Sequence, residues 1–230
     1  MVNIDTVYQK VLNLANKEQR GYITPQEFNL FADQAQKEIF EQYFYDLNQF
    51  LRMPGNSEEY SNVISNLREK IVIFERVGSI TGGQIVPAGG DVFYRLGTVM
   101  TSDNIQIEEI QQNESSYTLN SPLITSTLQR PTFTRFRETG VIIEPGGAAT
   151  GAFCTYTRMP TRPEWGYFVL SGKALYDPDL TKTTHFELHP SDESELVYKI
   201  LKFAGVSMKA LDIMRAGQIQ EQAQVQQEKQ

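Results

Sequence analysis

Residues 24–50, TPQEFNLFADQAQKEIFEQYFYDLNQF, carry the strongest structural signal in this sequence. Thr24 is a suitable N-cap, Pro25 fits the first helical position, and Glu27 can complete a capping box. Apolar residues then recur at three- and four-residue steps, which predicts one long helix with a broad apolar face. The predicted face comprises Phe28, Phe31, Ala35, Ile39, Tyr43, Leu47 and Phe50, widened on one side by Leu30, Phe40 and Phe44. Such a face needs a cover, either from the rest of the chain or from a neighbouring copy.

Composition and charge narrow the classes of function. The chain has 230 residues, of which 40% are hydrophobic and 21% charged, enough for one domain or two small ones. Its formal net charge of −7 argues against broad binding to DNA or to anionic membranes, because both require a basic face. The N-terminus lacks an apolar core of signal-peptide type, and no run reaches the roughly 18–20 apolar residues of a membrane span. We therefore expect a soluble protein made in a reducing compartment, without a membrane partner.

The chain around the long helix divides into helices, then strands, then helices. A first helix over 3–17 and a third helix capped by Ser57 flank the long one, and short connections favour up-down packing. From residue 71 onwards, beginning with the β-branched run at 71–74, short runs alternate with turn residues and should pair as antiparallel hairpins. Residues 111–120 could form a short helix within this region.

The C-terminal region predicts two further helices. Leu196, Val197, Ile200, Leu201 and Ala204 form an apolar face on the first of them, with Gly205 placed to cap it. A last helix runs from about Ser207 to Arg215 or beyond. The nearest place for the apolar face to be buried is against the N-terminal helices.

These patterns together predict an α+β fold, with a helical domain built from both termini and an inserted antiparallel β-sandwich or barrel-like domain. The predicted segments are 1–70 for the N-terminal helices, 71–185 for the β-domain, 186–216 for the C-terminal helices, and 217–230 for a glutamine-rich tail. We expect the tail to be ordered only by a partner, if at all.

No motif in the sequence predicts catalysis, a cofactor or a metal site. Cys154, the only cysteine, lies in an apolar-alternating run and is expected to be a small buried strand residue rather than a nucleophile. His185 and His189 have the spacing of a metal pair on a helix, but they lie on an extended segment without further ligands. Glu108 and Glu109 are adjacent on a strand, so their side chains point to opposite faces. The Gly-Gly pairs at 82–83, 89–90 and 146–147 are expected in turns of the β-region. No phosphate-binding or nucleophile-elbow motif is present in the sequence.

Two features are candidates for contacts with partners. Trp165, the only tryptophan, lies in a Pro-rich linker, where it could cover the edge of the β-core or contact another subunit. Five arginines form the main basic concentration, which is either a solvated sheet face or a surface for an anionic partner. They are Arg130, Arg135, Arg137, Arg158 and Arg162.

Four segments resemble structural proteins of tailed bacteriophages. They are GYITPQEFNLFADQAQKEIFEQYFYDL (21–47), LNSPLITSTLQRP (119–131), the Pro- and Trp-containing segment 160–167, and FELHPSDESELVYKILKFAGV (186–206). The sequence is most similar to virion proteins of crAss-like phages and related marine podoviruses. More distantly, the layout resembles the tail tubular (adaptor) proteins that lie below the portal.

The resemblance implies a head-to-tail connector subunit without enzymatic activity. Such adaptors form rings of twelve copies around the channel through which DNA leaves, so the implied partners are further copies, the portal protein and other tail or ring proteins. The implied location is the portal or tail vertex of a virion assembled in the bacterial cytoplasm. DNA would pass without specific binding, and an acidic wall would suit this. The residues we expect at partner interfaces are Phe31, Phe40, Phe44, Trp165, Tyr167 and Arg215.

Three other functions remain as alternatives. A lower tail ring or tail-hub protein of the same virion could use the same layout. A hydrolase of a host-surface polymer would need convergent carboxylates, for which the sequence offers no candidate pair. A DNA-binding packaging factor is disfavoured by the net charge of −7.

Overall fold

The computed structural model describes residues 1–17, 23–52, 58–179 and 181–207, with 219–220, 222–223 and 226 near the C-terminus. The chain divides into two compact units, one of Met1–Ile73 with Pro160–Gln230 (the helical unit) and one of Phe74–Met159 (the β-unit). The predicted α+β class is confirmed, because helices from both ends of the chain share one unit and a barrel-like sheet lies between them in sequence.

The helices and strands of the described residues follow the predicted order. In chain order they are α1 (Ile4–Lys17), α2 (Pro25–Arg52), α3 (Glu58–Val72), β1 (Glu75–Thr81), β2 (Gln84–Val86), β3 (Phe93–Met100), β4 (Gln106–Glu109), α4 (Gln112–Asn120), β5 (Thr132–Arg135), β6 (Val141–Glu144), β7 (Phe153–Arg158), β8 (Tyr167–Leu170), β9 (Lys173–Tyr176) and α5 (Glu193–Ser207). The short helix expected over 111–120 is α4. Ser57 and residues 208–215 of the predicted last helix lie outside the described residues.

The capping box at the start of α2 is confirmed. The Glu27 N–H donates to Thr24 Oγ1 at 3.3 Å, and the Thr24 N–H donates to Glu27 Oε2 at 3.0 Å. Two amides near the helix start therefore have side-chain partners. The hydrogen bond from the Thr24 N–H, followed by that from its hydroxyl, lowers the pKa of the Glu27 carboxyl below its ordinary value of 4.5.

We expect Thr24→Ala to lower the free energy of unfolding by about 1 kcal/mol, because the cap is lost. Thr24→Ser keeps a hydroxyl and should stay close to the wild type. The Glu27 contribution is present above its ordinary pKa of 4.5 and is lost as the pH falls through the lowered native pKa. Urea unfolding at pH 7 measures both variants, and equal stabilities for Ala and Ser would contradict the role of the cap.

The predicted apolar face of α2 is confirmed in its centre, where Phe28, Ala35, Ile39, Tyr43 and Phe50 are buried, but it differs at its margin. Leu30 is 59% exposed, so its placement on the apolar face is wrong. Two polar residues, Asn29 and Gln36, are buried instead. Asn29 Oδ1 accepts from the Trp165 N–H at 2.8 Å, and Gln36 Nε2 donates to the Thr161 carbonyl at 2.8 Å. A periodicity of apolar residues does not reveal such amides, because they are buried only where they bind the backbone of a distant segment.

The predicted packing of the C-terminal helix is confirmed, since α5 contacts both α1 and α2. Its expected end is wrong: α5 continues through Gly205 to Ser207. The expected strand start is also wrong, because residues 71 and 72 end α3. Ile71 is buried there, and burial on the helix face outweighs the β-propensity of its branched side chain.

The β-unit is a seven-stranded sheet in the order β2-β1-β7-β3-β4-β5-β6. The Ile85 N–H donates to the Thr139 carbonyl at 2.8 Å and the Val141 N–H to the Gly83 carbonyl at 2.9 Å, so the two edges nearly close. The predicted β3–β4 hairpin is confirmed. However, β4 and β5 pair in parallel, so the sheet is mixed rather than wholly antiparallel. The long connection through α4 makes this pairing possible.

Residues 160–185, which we expected in the inserted domain, belong to the helical unit. They carry the β8–β9 hairpin, a separate two-stranded sheet that the sequence reading missed. Glu164 bridges Thr184 below this hairpin, and Val2 bridges Phe186. The second bridge agrees with the extended segment expected around His185 and His189. The first bridge joins the two segments that flank the hairpin, and the second joins the segment after the hairpin to the N-terminal end of the chain.

Candidate functional surfaces

The aromatic residues expected at an interface on α2 are divided between core and surface. Phe40 is fully buried, so its role as a partner contact is wrong. Its ring packs edge-on against Phe44 at a centroid distance of 5.1 Å. Phe31 and Phe44 are half-buried and present only part of their rings. Arg215 lies outside the described residues.

Trp165 is buried within the helical unit, with 3% of its surface exposed. Its indole Nε1–H donates to Asp5 Oδ1 at 3.0 Å, and its ring lies 4.4 Å from the Tyr8 ring. The rings of Tyr167 and Tyr176 stack beside the indole, at centroid distances of 5.8 and 5.9 Å. Both earlier interpretations of Trp165, a cover on the β-core edge and a direct subunit contact, are therefore corrected: it is the anchor of the hairpin. Tyr167 is half-buried by the same stacking.

The outer side of the β8–β9 hairpin is an exposed apolar surface. Phe168 pairs with Leu175 and Leu170 with Lys173, so these four side chains share one side of the two-stranded sheet. Phe168, Leu170 and Leu175 are 46%, 59% and 41% exposed. We call these four residues the hairpin face. Large apolar side chains grouped in this way are typical of a surface that contacts another protein.

The sequence contains a signal for this hairpin that we did not use. Two apolar runs, YFVL and KALY, are separated by two residues, Ser171 and Gly172. Both adopt positive φ angles, 51° and 78°, as a tight two-residue hairpin turn requires. A search for such turns would have found the hairpin, although not its exposure.

A second candidate surface is a cleft of about 480 Å³ in the helical unit. We call it the α2–α3 cleft. Phe50 from α2 and Val63 and Leu67 from α3 form its apolar part. Its polar lining comprises Asp46, Asn66, Glu69, Lys70, His189 and Ser191. This combination of apolar walls and a few charged groups is typical of a binding cleft.

The wall of the cleft is held by a buried ionic cluster centred on Asp192. Its carboxylate is fully buried and accepts a hydrogen bond from the Tyr43 hydroxyl. Lys70 Nζ donates to it at 2.7 Å, and the Ser191 hydroxyl at 3.1 Å. A buried carboxylate requires such partners, because burial without them costs several kcal/mol. The cluster ties α2 and α3 to the start of α5, and the sequence reading missed it.

The five arginines do not form one basic face, since Arg162 belongs to the helical unit and the other four belong to the β-unit. Arg130 pairs with Glu108 at 3.0 Å, and Arg158 is buried with Nε 3.9 Å from Asp91. Arg137 lies over the Phe136 ring. The β-unit instead exposes apolar side chains along 117–128, namely Tyr117, Leu119, Leu123, Ile124 and Leu128.

The histidines have local roles. Ile4 N–H donates to His185 Nδ1 at 3.4 Å, and His189 Nδ1 accepts from the Ser191 N–H at 3.3 Å. Within the described ranges, no group of three or more His, Cys, Asp or Glu side chains is placed to hold a metal ion. Among the same residues, no helix combines the length and apolar character needed to cross a bilayer.

Cys154 is a fully buried residue of β7, as predicted. Burial raises the pKa of its thiol from the ordinary 9.0 to about 11. We expect native Cys154 to react with Ellman's reagent at pH 8 about 100-fold more slowly than the chain unfolded in urea, because the thiolate is the reactive form. The unfolded chain loses this proton first, so stability should fall between pH 9 and about 11. Equal reaction rates in native and unfolded protein would contradict the burial.

Comparison with known proteins adds no family assignment. No model of a known protein family matches this chain, and no curated protein matches it significantly.

Proposed function

We propose that this protein is a structural subunit of a tailed-phage head-to-tail connector, forming a ring below the portal around the DNA exit channel. The observation that supports this most is the layout: helices from both ends of the chain share one unit, and the sheet is inserted between them. The phage adaptors that the sequence resembles have the same plan. Twelve copies, a portal contact and location at the portal vertex of the virion belong to this proposal.

The exposed surfaces support an assembly role. The hairpin face and the α2–α3 cleft lie in the helical unit, and the β-unit exposes a separate apolar stretch along 117–128. A ring subunit needs at least two different contact surfaces, because its two neighbours meet it on different sides. The net charge of −7 suits a protein beside passing DNA, since an acidic wall does not retain the phosphate backbone.

Electron cryomicroscopy of particles that contain the protein tests this function directly. We expect density for both units as a closed ring against the portal, and averaging around the portal axis would give the copy number. A ring further along the tail would support a lower tail ring or tail-hub protein instead. Absence of the protein from the particles would overturn both assignments.

A further inference from the structure

We propose that the hairpin face of one copy docks in the α2–α3 cleft of the next copy. This contact between two different surfaces specifies how subunits of the proposed connector would join. Closure into a ring rests on the proposed connector function, whereas the contact itself does not. The partner is thus a second copy of this chain. The contact would join the helical units of successive subunits.

The two surfaces have matching apolar parts. The hairpin face offers Phe168, Leu170 and Leu175, each at least 41% exposed in the single chain. The cleft offers Phe50, Val63 and Leu67 at the walls of its 480 Å³ volume. The hairpin ends in a tight turn, so Leu170 lies at its tip, where it can enter a concave site first. Burial of these side chains would provide most of the free energy of association.

The two surfaces also have opposite charges. Lys173 is the only charged residue in the hairpin segment 167–176, and it lies beside Leu170 at the tip. Among the described residues that line the cleft, Glu69 is an exposed carboxylate, and Lys70 binds Asp192. The lysine at the tip of the hairpin would therefore meet the Glu69 carboxylate. Complementary charges of this kind fix the orientation of a contact.

The positions of the two surfaces on the helical unit allow the same contact to repeat from one copy to the next. Trp165, which anchors the hairpin, binds Asn29 near the start of α2, whereas Asp46 and Phe50 line the cleft near its end. These points are about 25 Å apart along the helix, at about 1.5 Å per residue. The strands of the hairpin have four residues each and span only about 13 Å, so the hairpin of one chain does not reach its own cleft. The chain can, however, bind a neighbour on each side, which is the head-to-tail geometry of a ring.

Charge reversal at the contact provides the test. Sedimentation velocity of the full chain over a concentration series should show self-association of the wild type. Lys173→Glu and Glu69→Lys should each weaken it about tenfold or more, because a like-charge pair replaces an opposite one. The double variant should recover to near the wild-type level, and so should an equimolar mixture of the two single variants. Leu170→Asp should abolish association, whereas Leu14→Asp, at an exposed residue of α1, should not.

A charge-matched control separates this contact from an effect of net charge. Lys173→Glu combined with Glu114→Lys, at an exposed residue of α4, has the same net charge as the wild type but should not recover association. Recovery by this variant would overturn the proposal. A wild type that stays monomeric up to its solubility limit, or single variants that associate normally, would overturn it too. Circular dichroism verifies that each variant is folded.

The outcomes for the contact and for the proposed function can be distinguished. If the Leu170→Asp variant still forms rings on particles, the proposed contact is wrong and the connector function stands. Association that follows the charge-reversal pattern, in a protein absent from particles, would overturn the connector function alone.

Discussion

Phe28→Ala should lower the free energy of unfolding of the helical unit by about 3–5 kcal/mol, one of the two largest effects that we expect. The Phe28 side chain is fully buried, and its ring centroid lies 4.6 Å from that of Tyr8 on α1. Its removal leaves a cavity between the first two helices, which the surrounding side chains can fill only in part. Urea unfolding followed by the fluorescence of Trp165 measures this effect, because the only tryptophan of the chain lies in that unit.

Leu30→Ala is the matched control, since it removes a large apolar side chain from the same helix. Leu30 is 59% exposed, so we expect a change of about 0.5 kcal/mol or less. The simple periodicity of the sequence places both residues on the apolar face and predicts comparable losses. Equal destabilisation by the two variants would contradict the buried face described for α2.

Asp192→Ala should destabilise the helical unit by about 3 kcal/mol or more, because it removes one member of a buried ion pair and leaves the other members unsatisfied. Lys70 then loses the carboxylate that it binds at 2.7 Å, and the Tyr43 hydroxyl loses its acceptor. The Lys70 side chain is 18% exposed, so water can partly replace the missing carboxylate. The loss of unfolding free energy should therefore fall at the lower end of the range for buried pairs. Urea unfolding monitored at Trp165 provides the measurement.

Lys10→Ala is the control for this variant. Lys10 pairs with Glu193 near the start of the same helix, but the two side chains are 53% and 30% exposed. Solvent-exposed pairs contribute little, so we expect a loss below about 1 kcal/mol. Tyr43→Phe adds a second comparison, because it removes only one hydrogen bond to Asp192. If Asp192→Ala cost no more than Lys10→Ala, the ionic cluster would not hold the cleft wall.

The cleft and the ionic cluster share two residues. Lys70, His189 and Ser191 belong to the cleft lining, and Lys70 and Ser191 also bind Asp192. Loss of Asp192 should therefore loosen the cleft as well as the helix packing. If the cleft receives the hairpin of a neighbouring copy, Asp192→Ala should weaken self-association without changing any residue of the hairpin face.

Local features of the fold could be predicted from the sequence because the residues that determine them are neighbours in the chain. The capping box at Thr24 and Glu27 and the β3–β4 hairpin are examples. The buried face of α5 and the order of helices and strands follow from periodicity in the same way. The exposed hairpin tip at Ser171 and Gly172 also carries a local signal, although we did not recognise it.

The sequence by itself thus determined the α+β class, the capping of α2 and the burial of Cys154, since each depends on short-range pattern and composition. Tertiary structure alone decided that Asn29 and Gln36 are buried on α2, because each binds the backbone of a segment at least 125 residues away. It also decided that β4 and β5 pair in parallel, that Trp165 anchors a hairpin, and that Asp192 joins Tyr43 and Lys70. The physical reason is common to all of these: a buried polar group or a free strand edge must find a partner, and local sequence does not specify which distant segment supplies it.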